Sequence, residues 1–304
     1  MLQNEVTLQC IINDRCNNNC LFCIDKVNHS STAKSPRQLH QLLKKGVRRT
    51  KNIIFTGPEP TVNDSLTEYI KTARAAGYSN IRLITNARRL SYIHYAKALL
   101  SSGITEIIVS LHGSTSKIHD ALTRTKGSFE QTTKACGNLD ILRQTNNFIW
   151  RINITLNAIN ASNLIDFYRL ALGFKSVESI GVNCVIPAGN GLFFLNRLSP
   201  NYTFLAEAFK NSVTALKLDA RSHRRVGIGI VGLPACVLRG FENLLGSFES
   251  ILLSKNKNVR VERRNPKRIK GVSCEKCIYA TICDGVWEPY IKRNGWVEFK
   301  PVIE

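Results

Sequence analysis

Cys16-Asn17-Asn18-Asn19-Cys20-Leu21-Phe22-Cys23 sets three cysteines at the spacing C-x3-C-x2-C. It lies just behind an apolar run, Val6 to Ile12, that predicts a buried strand. Three thiolates in one short loop match three corners of a cubane [4Fe–4S] cluster, whose fourth iron stays open to an outside ligand. Cys10 belongs to the strand and is poorly placed to complete the set. Zinc is the alternative: it wants a closed tetrahedron of donors, and His29 is the nearest fourth ligand. A disulfide fits less well, because nothing in the chain marks it for export.

Outward from this loop, short apolar runs alternate with helical stretches. Strands are expected at residues 6–12, 52–55, 81–84, 104–111, 148–156 and 179–186. Helices are expected at 37–45, 65–76, 91–102, 129–143, 164–172 and 202–217. Asp64 is the expected cap of the second helix, and Gly77, Gly103 and Gly173 are the expected helix ends. Six βα units with continuously apolar strands argue an α/β fold: a parallel sheet covered by helices, curled by right-handed crossovers into a barrel or partial barrel.

The chain of 304 residues is 43% apolar, enough to bury a large core and too much for a disordered polymer. No apolar run reaches the ~18–20 residues of a membrane span, and the N-terminus lacks a basic-then-apolar signal segment. The ten cysteines are therefore expected in a reducing cytoplasm, bound to metal or free. A net charge of +20 comes partly from clusters: Lys44-Lys45, Arg48-Arg49, Arg88-Arg89, Arg224-Arg225 and Arg263-Arg264, with Lys267, Arg268 and Lys270 close behind. Such a field attracts a nucleic acid, a phosphorylated metabolite or an acidic redox donor such as flavodoxin or ferredoxin, and it also simply keeps a protein soluble.

With Phe22 directly before the last cysteine, the loop resembles the signature of the radical S-adenosylmethionine (SAM) superfamily. The resemblance implies a partial (β/α)6 barrel with its chemistry at the C-terminal strand ends. It implies a [4Fe–4S] cluster on Cys16, Cys20 and Cys23 whose open iron chelates SAM. An electron from that cluster would cleave SAM to a 5'-deoxyadenosyl radical, which takes hydrogen from substrate. Thr56-Gly57-Pro58-Glu59-Pro60-Thr61 resembles the family's Gly-Gly-Glu-Pro motif, which presents backbone carbonyls and a glutamate to the SAM amino group. Pro58 replaces the second glycine; a proline keeps the carbonyl and loses only the N–H. By the same resemblance Ser110 serves the SAM carboxylate or ribose, Arg124 the carboxylate, Asn153 the ribose (Asn157 and Asn160 behind it), and Phe22 and Pro187 the adenine pocket. His112 and His119 read either as proton donors and acceptors or as structural loop histidines.

The βα alternation stops near residue 220, so residues 1–220 are expected as the core and 221–304 as an extension. Cys274-Glu275-Lys276-Cys277 and Cys283 give C-x2-C-x5-C, which resembles the centre of the Twitch and SPASM extensions. A full SPASM domain would carry a further cysteine near Trp287, where this chain has none. With Cys236 as fourth ligand, the resemblance implies one auxiliary [4Fe–4S] cluster; structural zinc stays open for the same four cysteines. Cys10, Cys136 and Cys184 read as inert core thiols.

The expected function is hydrogen abstraction from a small polar, anionic metabolite such as a nucleotide or sugar conjugate. A maturase acting on a ribosomally made peptide is the alternative, and a non-catalytic, metal-stapled nucleic-acid binder a remote one. No membrane partner is expected, and no residue stands out as hydrogen donor or catalytic acid.

Overall fold

The computed structural model of the protein describes residues 7–25, 36–199, 201–218, 226–246, 251–252 and 266–303. His29 and the pairs Arg224-Arg225 and Arg263-Arg264 lie outside the described residues. The chain runs β1 (Thr7–Ile11), α1 (Pro36–Gly46), β2 (Asn52–Thr56), α2 (Leu66–Ala76), β3 (Asn80–Thr85), α3 (Ile93–Ser101), β4 (Glu106–Ser110), α4 (Ser116–Thr123) and α5 (Ser128–Arg143). It continues through β5 (Ile149–Leu156), α6 (Leu164–Leu172), β6 (Ser179–Cys184), α7 (Asn190–Phe193), α8 (Leu195–Leu198), α9 (Tyr202–Leu218) and β7 (Gly227–Val231). The last elements are β8 (Ile251–Leu252), β9 (Arg268–Ile269), β10 (Val286–Trp287) and α10 (Glu288–Asn294).

Strands β1 to β8 form one sheet in the order β7-β6-β5-β4-β3-β2-β1-β8, every pair parallel. The first six strands are neighbours in chain order, the topology of a partial barrel, and the α/β expectation holds. Residues with both faces covered are buried in an unbroken row, as in Ile53, Ile54 and Phe55 of β2. The helices bury one stripe each: Leu66, Tyr69, Ile70 and Ala73 of α2, and Leu164, Phe167, Tyr168 and Ala171 of α6, both at the i, i+3, i+4, i+7 spacing. Each such large side chain contributes about 1.5–3 kcal/mol by leaving water. Among the described residues no helix is long and apolar enough to cross a membrane.

Several local expectations change. Asp64 does not cap α2; Ser65 occupies the cap position, and Arg89 draws the Asp64 carboxylate away in an ion pair at 2.9 Å. Gly77 and Gly103 take the left-handed backbone expected of helix ends, at φ 100° and 105°, whereas Gly173 stays right-handed at φ −64°. The expected helix over 91–102 is split into a 3-10 turn, Arg88–Ser91, and α3. Beyond residue 220 the sheet gains β7, an alternation of glycine and apolar residues too sparse in side chains to announce itself.

Candidate active site

All strands of a parallel sheet point the same way, so the loops after β1 to β6 meet at one end. The cysteine loop follows β1 and is held from three sides. On one side Asn19 and Leu21 donate backbone N–H groups to the carbonyls of Thr123 and Leu122 at the end of α4, both at 2.9 Å. On another, Asn190 donates its backbone N–H to the Cys23 carbonyl and its side-chain amide to the Cys20 carbonyl, both at 2.9 Å. On the third, Arg88 donates to the Asn17 carbonyl. Leu21 anchors the loop below, buried with Leu122, Val185 and Leu198. Gly191 admits this arrangement because a Cβ there would stand 2.3 Å from the Ile186 carbonyl.

Cys16, Cys20 and Cys23 line one cavity of about 530 Å³. Asn18 donates its backbone N–H to Cys16 Sγ at 3.3 Å, and Asn86 brings its side-chain amide to 3.9 Å from the same sulfur. Three thiols on one wall, with N–H donors aimed at sulfur and backbone packed too closely for side chains behind them, suit a three-cysteine cluster.

Of the residues expected to hold SAM, the same cavity gathers Phe22, Gly57, Pro58, Glu59, Ser110 and Asn153. It does not include Pro60, Arg124 or Pro187. Pro60 is buried in a 3-10 turn, and Pro187 is buried beside Ile186, which takes its place in the wall. Arg124 is exposed in a left-handed turn after α4 at φ 52°. Asp120 holds the following loop, accepting from Gly127 N–H, Ser128 Oγ and Phe129 N–H. Asn157 and Asn160 turn to backbone instead of ligand: their amides donate to the Thr155 carbonyl, and that of Asn160 also to the His112 carbonyl.

Glu59 lines the cavity with both carboxylate oxygens already engaged by the protein. Its Oε1 accepts from Thr61 N–H at 3.0 Å, Thr61 Oγ1 at 2.5 Å and Thr85 Oγ1 at 2.6 Å, and its Oε2 accepts from Asn86 N–H at 2.7 Å. Burial pushes the carboxyl above its ordinary value against the pull of these donors. The carboxylate thus ties the loops after β2 and β3 together. Gly57, at φ 115°, carries the turn past Ile11, whose Cγ2 would lie 2.9 Å from any Cβ.

The sequence missed several wall residues: Asp14, Asn18, Asn19, Asp25, Thr85, Asn86, Thr155, Asn183 and Ile186. Thr85, Asn86, Thr155 and Asn183 share one signal, a polar residue at or next to a strand end, which is weak in a sequence. Cys184, read as an inert core thiol, also touches the cavity, while Cys10 and Cys136 are fully buried as expected. Asn183 donates its amide to Asn153 Oδ1 at 2.7 Å, so the pair offers one N–H2 and one carbonyl to a ligand. Among the described residues no lysine or arginine stands in the wall, and its acidic residues are Asp14, Asp25 and Glu59. The strong positive charge of the chain does not reach this surface among the described residues.

His112 also lines the wall. Its Nδ1 accepts from Thr155 N–H at 3.1 Å, which puts the ring proton on Nε2. The ring meets Phe22 edge-on at 4.5 Å. Burial, helped by His119, holds His112 well below the usual histidine value, so it is a neutral donor. His119 Nδ1 accepts His112 N–H at 3.1 Å, and burial holds this ring at about 4.

A second cysteine group lies in the C-terminal part. Cys236, in a 3-10 turn just after β7, lines one small apolar pocket with Cys274, Cys277 and Cys283, under Trp296 and Phe299. Ala235 and Gly285 donate N–H groups to Cys283 Sγ, and Val302 to Cys277 Sγ, each at 3.4 Å. Burial and the three neighbouring cysteines push the Cys236 thiol up to about 12. Four thiols are by residue type the donor set of either a fully ligated cluster or zinc. Among the described residues no three His, Cys, Asp or Glu side chains converge in the way a single ion requires.

A family model described as the Radical SAM superfamily matches residues 10–170. The chain is 34% identical over 111 residues to a 7,8-dihydro-6-hydroxymethylpterin dimethyltransferase of Methanocaldococcus jannaschii, covering 35% of this chain and 22% of that protein. It is 26% identical over 170 residues to a GTP 3',8-cyclase of Clostridium acetobutylicum, covering 54% and 52%. Its fold resembles Streptococcus suis SuiB bound to the precursor peptide SuiA, with TM-score 0.61 and 15% identity over 86% of this chain and 55% of that one. The chain thus spans from about a fifth to about half of these relatives.

Proposed function

The chain belongs to the radical SAM superfamily, and on that premise we propose that Cys16, Cys20 and Cys23 hold the SAM-cleaving [4Fe–4S] cluster of an enzyme that takes hydrogen from a small polar metabolite. The supporting observation is that the three thiols share one cavity with the Gly57–Glu59 turn, Ser110 and Asn153. When bound, the cluster supplies the electron that cleaves SAM, and the resulting radical abstracts hydrogen. The chain's own part is to hold the loop, offer carbonyls at Gly57 and Pro58, and enclose the reacting groups away from water. An acidic, low-potential electron donor suits the net charge of +20, and a reducing cytoplasm suits a chain of ten cysteines read as metal ligands and core thiols.

Among the described residues the wall carries no cation, which favours a neutral, hydroxyl- or amide-rich reacting portion over the anionic one expected from composition. The Asn153–Asn183 amide pair also suits a peptide backbone, and this supports the second reading, a peptide maturase. We further propose that, beyond β7, Cys236, Cys274, Cys277 and Cys283 form a Twitch-like site that holds an auxiliary [4Fe–4S] cluster.

Anaerobic reconstitution of the protein beside a Cys16/Cys20/Cys23→Ala variant tests both centres. Two cubanes predict ~8 irons falling to ~4 in the variant, with SAM cleavage lost. A count running from ~4 to almost none, with zinc retained, would refute the auxiliary cluster. Absence of SAM cleavage in the loaded wild-type protein would refute the enzyme reading.

A further inference from the structure

Arg88-Arg89 reads in the sequence as surface charge, yet both guanidiniums turn onto the loops that frame the cavity. Arg89 donates to the Thr61 carbonyl at 2.6 Å and lies 4.5 Å over the Tyr95 ring. Arg88 reaches the cysteine loop: one terminal nitrogen donates to the Asn17 carbonyl and to Asn18 Oδ1, the latter at 3.1 Å. Its Nε donates to Gln131 Oε1 on α5 at 2.6 Å, which fixes the plane of the fork.

The backbone is bent to aim this side chain. Ala87 is fully buried in the left-handed region at φ 59°, which residues with a Cβ seldom adopt. Thr85 Oγ1 accepts Ala87 N–H at 2.9 Å and Asn86 Oδ1 accepts Arg88 N–H at 3.1 Å, locking the turn. The Asn86 amide then donates to Asn17 Oδ1 at 2.7 Å. Among the described residues no carboxylate pairs with Arg88. Its positive charge is therefore held, half-buried and uncompensated, against the two residues that follow Cys16.

We propose that Arg88 is a positioning residue for the SAM-cleaving centre, fixing the Cys16–Asn18 turn and making the cluster easier to reduce; this rests on the function proposed above. The cluster takes one electron from an external low-potential donor and becomes one charge more negative. A fixed cation nearby favours the reduced state and raises the potential.

The test is a redox titration of the anaerobically reconstituted full chain, followed by electron paramagnetic resonance on the signal that responds to added SAM. Arg88→Gln removes the charge. Gln131→Glu keeps the fork and sets a carboxylate against Nε. Both are expected to keep their iron and to show about a tenfold smaller reduced fraction at fixed donor potential, equivalent to about 59 mV for one electron. Arg88→Lys, which keeps the charge, is expected to stay near the wild-type potential. Wild-type potentials in Gln131→Glu and in any iron-loaded Arg88→Gln would overturn the proposal. If Arg88→Gln loses its iron, Gln131→Glu decides alone. Wild-type protein without a SAM-responsive signal would sink the proposed function instead, before any variant is compared.

Discussion

The side-chain amide of Asn190 donates to the Cys20 carbonyl at 2.9 Å, joining the loop after the sixth strand to the loop after the first. Gly189, next to it at φ 54°, has no room for a side chain: a Cβ would stand 2.5 Å from the Cys23 carbonyl and 2.7 Å from that of Ile24. Gly189→Ala is therefore expected to displace the cysteine loop, costing about 1–3 kcal/mol of stability and about 4 irons per chain after reconstitution. Wild-type melting and iron content in this variant would contradict the fit described for the loop.

Glu59 carries the second junction, between the loops after β2 and β3. Glu59→Gln replaces one of the two accepting oxygens by N–H2, which faces either the Thr61 and Thr85 donors at Oε1 or Asn86 N–H at Oε2. One buried donor left unmet costs about 1–3 kcal/mol. Urea unfolding should show this loss with an unchanged m-value. A variant as stable as the parent would mean that the carboxylate is not the tie.

His112 separates a structural role from a ligand-binding one by its two nitrogens. Asparagine supplies an oxygen near Nδ1 for Thr155 N–H, whereas glutamine supplies a donor near Nε2. If Nε2–H serves the bound nucleoside, His112→Asn should weaken SAM binding about tenfold, the value of one neutral hydrogen bond, and His112→Gln should recover most of it. Equilibrium dialysis of loaded protein with SAM reads this directly. Equal affinities for His112→Asn and wild type would assign the ring to packing alone.

His119 gives a pH dependence with a definite sign. The unfolded chain takes up its proton near 6.5, the folded protein only near 4, because burial disfavours the charged ring. Between these values the unfolded state binds more protons, so stability is full above 6.5 and falls as pH drops, by up to about 1.4 kcal/mol per unit. His112, shifted the same way, adds to the slope. His119→Asn keeps an acceptor for His112 N–H and removes one proton from the balance. Unfolding free energies from pH 7 to 5 should therefore fall less steeply in this variant; an identical slope would rule out His119 as a source.

Periodicity and spacing carried most of the architecture. Strands came out within about two residues of expectation, because a parallel strand covered on both faces must be apolar throughout and a helix must show its stripe. The short helices α4, α7 and α8 and the strand β7 stayed hidden, since each is too short or too poor in side chains for its period to register. At the site, residues fixed by covalent neighbourhood were legible: Cys16, Cys20, Cys23 and Phe22 occupy one loop in any fold. Arg124 and Pro187 lie outside the cavity lining, since a strand-end position in the sequence says nothing about which way the following turn faces.

The sequence by itself determined the α/β class, the order of the strands and the three-cysteine loop, because these depend on local pattern and on a fixed spacing along the chain. Only the tertiary structure decided that Glu59 is spent on Thr61, Thr85 and Asn86, that Arg88 clasps the cysteine loop, and that among the described residues the cavity wall carries no cation. A side chain's role there depends on which donors and acceptors converge on it across many residues of chain. Burial enforces that pairing, since each buried polar group must find a partner wherever the fold supplies one.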